Sequence, residues 1–307
     1  MAGEPPELTP AHRAVFGAKF KAWAILLGAG GVWGVTFSLA KIATEGGAHP
    51  FGITLWQAII GCALLFLFDL ARRRALPLDR QHLTFYLVCG LLGTAIPASL
   101  YFYAAPHLPA GVLSITIATV PMMTFLGAHI LGVDRLSATR LLGVMLGVVA
   151  VMLIAAPETS LPDPASAPWV LVAVVASLCY AAENLYIAKR RPVGSDAITV
   201  LCGMLLVAAL VLTPVVLATG TFTPLPWPWG PVELSVLAMS LINVVSYGLF
   251  VYLVTASGPV FASQMAYVVT LSGVFWGMVI YGELHSAWIW AALVAMMAGL
   301  ALVKPKK

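Results

Sequence analysis

Glu183 is where chemistry would turn. It is the one acid set well inside a long apolar stretch, and it shares a helical face with Tyr180 and Asn184 at i, i+3, i+4 spacing. A carboxyl placed in hydrocarbon is costly, so it usually faces a bundle interior and marks a pathway. There it has three readings: a proton carrier, a binder of a substrate ammonium, or a partner for Lys189 one and a half turns on. The same spacing recurs in Trp33, Thr36 and Phe37, and again in Asn243, Ser246 and Tyr247. Pro97, Ser99, Tyr101 and Tyr103 add to one apolar segment, and Ser263, Gln264, Tyr267 and Trp276 to another. Rings of this kind offer apolar area to a ligand, while amides, hydroxyls and a carboxyl fix its polar ends. Each also has a packing role: Trp33 and Tyr180 as fillers between helices, and Asn184, Asn243, Ser246 and Gln264 as hydrogen-bonding glue across them. Tyr103 and Tyr252 lie near segment ends, where an interfacial belt is expected.

The elements that must hold these residues are membrane spans. Of 307 residues, 61% are hydrophobic and only 9% charged, with mean hydropathy +0.98. Soluble domains carry about 25% charged residues, so this surface belongs in lipid. Ten segments are long enough to cross, at 20–42, 52–71, 83–105, 110–131, 139–156, 168–189, 198–218, 233–255, 260–281 and 286–303. Gly46-Gly47 with Pro50, Pro106 with Pro109, Gly258-Pro259 and two Pro-rich stretches separate them, since proline removes a donor and ends helices.

The charges agree with this count. If ten spans alternate, Arg13, Lys19, Lys21, Arg72, Arg73, Arg74, Arg80, Arg135, Arg140, Lys189, Arg190, Arg191, Lys304, Lys306 and Lys307 all fall on one side. Of the 16 basic residues only Lys41 is left near the other face. Cytoplasmic loops carry the Lys/Arg excess, so both termini are expected in the cytoplasm of a protein of the inner (plasma) membrane.

The halves echo one another. Tyr103, Pro109-Ala110, Ser114 and Asp134 meet Tyr252, Gly258-Pro259, Ser263 and Glu283 at an offset of 149 residues. Five spans per half is an odd number, so the second half enters the membrane inverted. The expected organisation is a cytoplasmic segment 1–19, a first repeat 20–156, an extracytoplasmic linker 157–167, an inverted second repeat 168–303 and a cytoplasmic tail 304–307. The fold class is all-α integral membrane, with ten transmembrane helices. Inverted repeats of this kind place substrate sites near the bilayer midplane.

Trp33-Gly34-x-Thr36-Phe37-x-x-x-Lys41, Pro121 within the fourth span, and the turns Gly132-x-Asp134-Arg135-Leu136 and Gly282-Glu283-Leu284 carry a resemblance. The chain resembles the drug/metabolite transporter (DMT) superfamily in its ten-helix EamA-type branch, with the YddG-type amino-acid exporters as the nearest functional picture. The resemblance covers about residues 20–303. It implies efflux of small metabolites through a cavity lined mainly by spans 1, 3, 4, 6, 8 and 9. Thr270 stands where Pro121 stands in the first half, and Asn184 where Phe37 does.

The expected function is a secondary transporter, not an enzyme, that exports amino acids, including aromatic and large apolar ones, by alternating access. An exporter of hydrophobic cationic drugs, with Glu183 as counter-charge, is the alternative. A membrane-embedded lipid-modifying enzyme is a distant one, since no two acids lie within a turn of each other inside a span. A single intramembrane acid favours weakly coupled or facilitated export. Lys41, Glu183, Asp134 and Glu283 are the gating or coupling candidates. For Lys41 the competing role is snorkelling to outer headgroups, and for the two turn acids helix capping or local ion pairs. His107 and His129 lie too near segment ends for a proton relay. No phosphate-binding glycine-lysine loop is present, which argues against ATP drive. Cys62, Cys89, Cys179 and Cys202 lack metal-ligand spacing. No cofactor, metal or nucleic-acid partner is expected: the partners are a small-molecule substrate and the bilayer, and the chain is a monomer or weak homodimer.

Overall fold

A computed structural model describes residues 10–132, 138–155, 161, 163–257 and 265–302. Among them the chain forms ten helices and no strand. They are α1 (Pro10–Glu45), α2 (Pro50–Ala71), α3 (Arg80–Ala104), α4 (Ala110–Ile130), α5 (Ala138–Ala155), α6 (Ala167–Arg190), α7 (Ala197–Thr219), α8 (Pro231–Ser257), α9 (Met265–Tyr281) and α10 (Ala287–Leu302). The shortest, α10, has 16 residues and α9 has 17, near the lower limit for crossing hydrocarbon.

Local chemistry sets the helix ends. His49 Nδ1 accepts from the Phe51 N–H at 3.2 Å, with Pro50 at the first helical position of α2. Asp79 accepts from the Gln81 and His82 N–H groups at 3.0 and 3.2 Å and starts α3. Asp196 does the same for α7 through the Thr199 N–H at 3.3 Å, and Gly220, at φ 66°, ends that helix. The first helix already includes Pro10, well before the expected 20.

Two spans are broken where proline withholds a donor. In α3 a π-helical turn, Leu91–Ala95, precedes Pro97, and the Ile96 N–H reaches five residues back to the Leu91 carbonyl. In α4 the helix interrupts at Ala118 and Thr119, just before Pro121, and their N–H groups bond three residues back at 3.2 and 3.1 Å.

The packing repeats under exchange of the halves. Helix α1 packs on α8 and α9, and its counterpart α6 packs on α3 and α4. Helices α2 and α8 touch, as do α7 and α3, while α2–α7, α4–α9 and α5–α10 are pairs that map onto themselves. The ends sort as ten alternating spans require. At the Arg-rich end Arg72 holds Asp196 through two bonds of 3.0 and 3.3 Å, and His82 Nε2 lies 3.0 Å from Ser195 Oγ. Burial pushes the Asp196 carboxyl up, but Arg72, the Thr199 N–H and Arg74 more than offset it, so the group titrates below the ordinary carboxylate range. At the Arg-poor end Trp56 Nε1 donates to the Thr223 carbonyl at 2.7 Å, and Tyr281 Oη donates to Glu45 at 3.2 Å. The outer faces carry Phe66, Leu67, Leu171, Val175, Leu178, Leu210, Leu217, Phe275 and Val279, all exposed, as a lipid-facing surface demands.

Candidate functional site

Three rings cross the centre of the bundle. Phe37 of α1 tilts on Tyr101 of α3 at 6.5 Å between centroids, and Tyr101 tilts on Tyr180 of α6 at 6.4 Å. The Tyr101 hydroxyl lies 3.1 Å from Thr116 Oγ1 and 3.2 Å from Ser177 Oγ, so α3, α4 and α6 are tied at one buried point. Across the bundle, Trp33 Nε1 donates to Asn243 Oδ1 at 2.8 Å, joining α1 to α8. Thr36 Oγ1 donates to the carbonyl of Trp33 at 2.7 Å, which keeps that hydroxyl within its own helix.

Glu183 sits in this group, and among the described residues it has no counter-ion. Its carboxylate lies against Gly93, in the π-helical turn of α3, at the position where any Cβ on residue 93 would stand. It is within electrostatic reach of Tyr180, Tyr247 and Cys89. The ion pair with Lys189, one of its three sequence readings, is not formed. Ser246 is buried beside this layer, and the Tyr247 ring tilts on Phe250 at 6.3 Å. Tyr267 of α9 buries its hydroxyl with no hydrogen-bond partner among the described residues.

Asn184 stands apart. It is exposed, and its Nδ2 lies 3.5 Å from Thr124 Oγ1 of α4. Leu171, Val175 and Leu178 mark the lipid face of α6. Six residues beyond Leu178, at 3.6 residues per turn, Asn184 is rotated by about 240° from that face. Its exposure is therefore toward the bundle interior, on the Arg-rich side of Glu183.

The gating candidates gather at the opposite end. Lys41 Nζ approaches the Leu108 carbonyl at 3.4 Å and Glu45 at 3.8 Å, and lies 4.9 Å from the centroid of Tyr281. Its side chain is only 15% exposed, so it is held inward and does not reach out toward headgroups. Glu283 accepts from the Ala110 N–H at 2.6 Å and the Gly111 N–H at 3.1 Å. It is a helix cap, but of α4 in the other half of the chain and not of its own helix. Asp134 and Gln264 lie outside the described residues.

Several participants escaped sequence reasoning. Gly93 is signalled only by standing four residues before Pro97, the spacing at which proline withholds a hydrogen bond. Thr116 and Ser177 are ordinary small residues of apolar spans, and His285 follows Glu283 by two residues without a motif. The clearest check on the α1–α8 tie is Trp33→Phe. It leaves the Asn243 amide oxygen unpaired and is expected to lower stability by about 1 kcal/mol, the size of interhelical bonds in membranes. The readout is the unfolding midpoint of the purified protein in detergent.

Comparison with known proteins places this architecture. The chain matches the EamA-like transporter family twice, over residues 21–156 and again over 167–304. It is 25% identical over 292 residues to the "Uncharacterized inner membrane transporter YedA" of Escherichia coli (strain K12), covering 94% of this chain and 90% of that protein. The "Uncharacterized transporter YoaV" of Bacillus subtilis (strain 168) is 22% identical over 158 residues, 50% of this chain and 53% of its own length. A solved structure described only as "Crystal structure of protein" is alike in fold, with TM-score 0.60 at 21% identity over 92% of this chain and 96% of that one. The two family matches fall one on each half and together span nearly the whole molecule, and the protein belongs to the EamA-like transporter family.

Proposed function

We propose that the protein exports small metabolites, amino acids first among them and especially those with large apolar or aromatic side chains, by alternating access across the inner membrane. The observation that carries this reading is the unpaired Glu183 carboxylate beside the rings of Tyr180 and Tyr247, with Phe37 and Tyr101 in line. A carboxyl buried with no partner is expensive to ionise, and a substrate ammonium would supply the missing counter-charge. The neighbouring rings offer apolar area to the substrate side chain. Trp33, Thr36, Asn243, Ser246, Tyr247 and Tyr267 complete the proposed lining, and Asn184 would meet the substrate on its way in from the Arg-rich side. The positive-inside rule makes that side, and both termini, cytoplasmic. One central acid is consistent with weakly coupled or facilitated transport.

Counterflow in proteoliposomes tests the reading across a panel of amino acids, with and without a pH gradient. Saturable exchange of amino acids, strongest for large apolar ones, is the expected result. Absence of saturable flux for every one of them would overturn it. Export of hydrophobic cations is the second reading, favoured by the same rings around a carboxyl that a bound cation would ionise.

A further inference from the structure

A second cluster of titratable groups lies at the Arg-poor end, away from the central rings. Gly282, at φ 62°, turns the chain sharply after α9, and Glu283 then reaches across to the start of α4. Its two oxygens take the Ala110 and Gly111 N–H groups, two of the four donors that a helix start leaves without internal partners. A negative charge is favoured there by the helix dipole as well. Immediately behind it sits His285. Its Nε2 is 3.6 Å from the Glu283 carboxylate, and the two side chains are 1% and 8% exposed. Among the described residues, neither ring nitrogen of His285 has a hydrogen-bond partner. An imidazole this buried is normally satisfied, so both orphaned nitrogens mark a group prepared for another state.

The surroundings are few and can be named by element. Helix α4 presents only backbone N–H groups, and a Cβ on Gly111 would press on the imidazole. Helix α10 presents the edge of Trp290 at 6.0 Å. Helix α9 contributes Tyr281, which bonds Glu45 of α1, and α1 also contributes Lys41, held on the Leu108 carbonyl. The α3–α4 connection contributes His107, stacked flat on Trp169 at 4.0 Å. Among the described residues, Glu283 is the one charged group in direct reach of His285.

We infer that His285 and Glu283 form a proton-operated latch: with His285 neutral, Glu283 clasps the start of α4 to the α9–α10 turn, and a proton on His285 favours a state in which the imidazole has turned out into water and Glu283 has let go of the two amides. The sign follows from burial. Desolvation holds the imidazole below its ordinary value, and Glu283 opposes this only in part. An opened state, with the ring in water, has the ordinary value near 6.5. Protons bind the opened state better, so acid at this face shifts the population toward release.

Hydrogen exchange of the whole chain in lipid nanodiscs reads this directly, at the amides of Ala110 and Gly111, after correction for the intrinsic pH dependence of exchange. Between about pH 8 and pH 5, the range in which an imidazole titrates, protection in the wild type is expected to be lost progressively as the pH falls. In His285→Gln the protection should no longer change with pH. In Glu283→Gln it should be low throughout. If the glutamine variant of His285 does not fold, His285→Phe removes the orphaned nitrogens while filling the same apolar space and serves in its place. Unchanged protection in the wild type, or an equal pH response with and without His285, overturns the latch.

Discussion

Gly93→Ala is expected to reduce flux at least about tenfold, a factor worth about 1.4 kcal/mol, while the protein still reaches the membrane. Residue 93 lies in the π-helical turn of α3, and the space its Cβ would need is filled by the Cδ and both oxygens of Glu183. One of the two must move. Overpacking of this kind costs about 1–3 kcal/mol, and Glu183 is the mobile partner, so the added methyl would push the carboxylate out of the central layer. The contact has a second signature. Glu183→Ala makes room for the methyl, so the double variant Gly93→Ala/Glu183→Ala should unfold at a higher midpoint than Gly93→Ala alone. Such non-additivity is what neighbouring groups show in a mutant cycle. Wild-type flux in Gly93→Ala would mean that Glu183 does not have to stand where the structure puts it.

Glu183→Gln is the complementary change, since it keeps the shape and removes the charge. For solutes bearing an ammonium group, flux is expected to fall at least about tenfold, the effect of losing about 1.4 kcal/mol of charge-specific binding. Stability should change little, because the amide keeps the shape of the unpaired carboxyl and removes only its capacity to ionise. The measurement is counterflow of each amino acid beside its N-acetyl analogue. An equal loss for both would remove the ammonium from the account. Loss of lipophilic-cation flux with amino-acid flux intact would favour the cation exporter instead.

The ten helices and their pairing into two halves were legible because each rests on many residues at once. Long apolar runs, proline and glycine breaks and the sorting of basic residues all report the same alternation, and single exceptions do not disturb it. The shared face of Tyr180 and Glu183 was also legible, since helical spacing alone sets it. What failed to show was everything decided by contacts between distant segments. Lys41 reads as a headgroup anchor until the Leu108 carbonyl and the Tyr281 ring close over it. Glu283 reads as a cap for the helix beside it, yet it serves α4, more than a hundred and seventy residues earlier. Asn184 and Phe37 occupy matching places in the two halves, but one reaches toward Thr124 and the other lies on Tyr101. Gly93 carries no signal of its own, because its role depends on which side chain arrives from α6.

The exchange of α1 and α6 between halves has a consequence for biosynthesis. Helix α1 is made first, yet its neighbours α8 and α9 are made nearly last. The Trp33 indole waits 210 residues for Asn243; at about 5–20 residues per second this is of order ten to forty seconds. During that interval the leading helix must remain in the bilayer without its final companions, and the first five spans cannot close a finished unit by themselves. Two separately expressed halves should each be short-lived alone and persist only when they meet in one membrane.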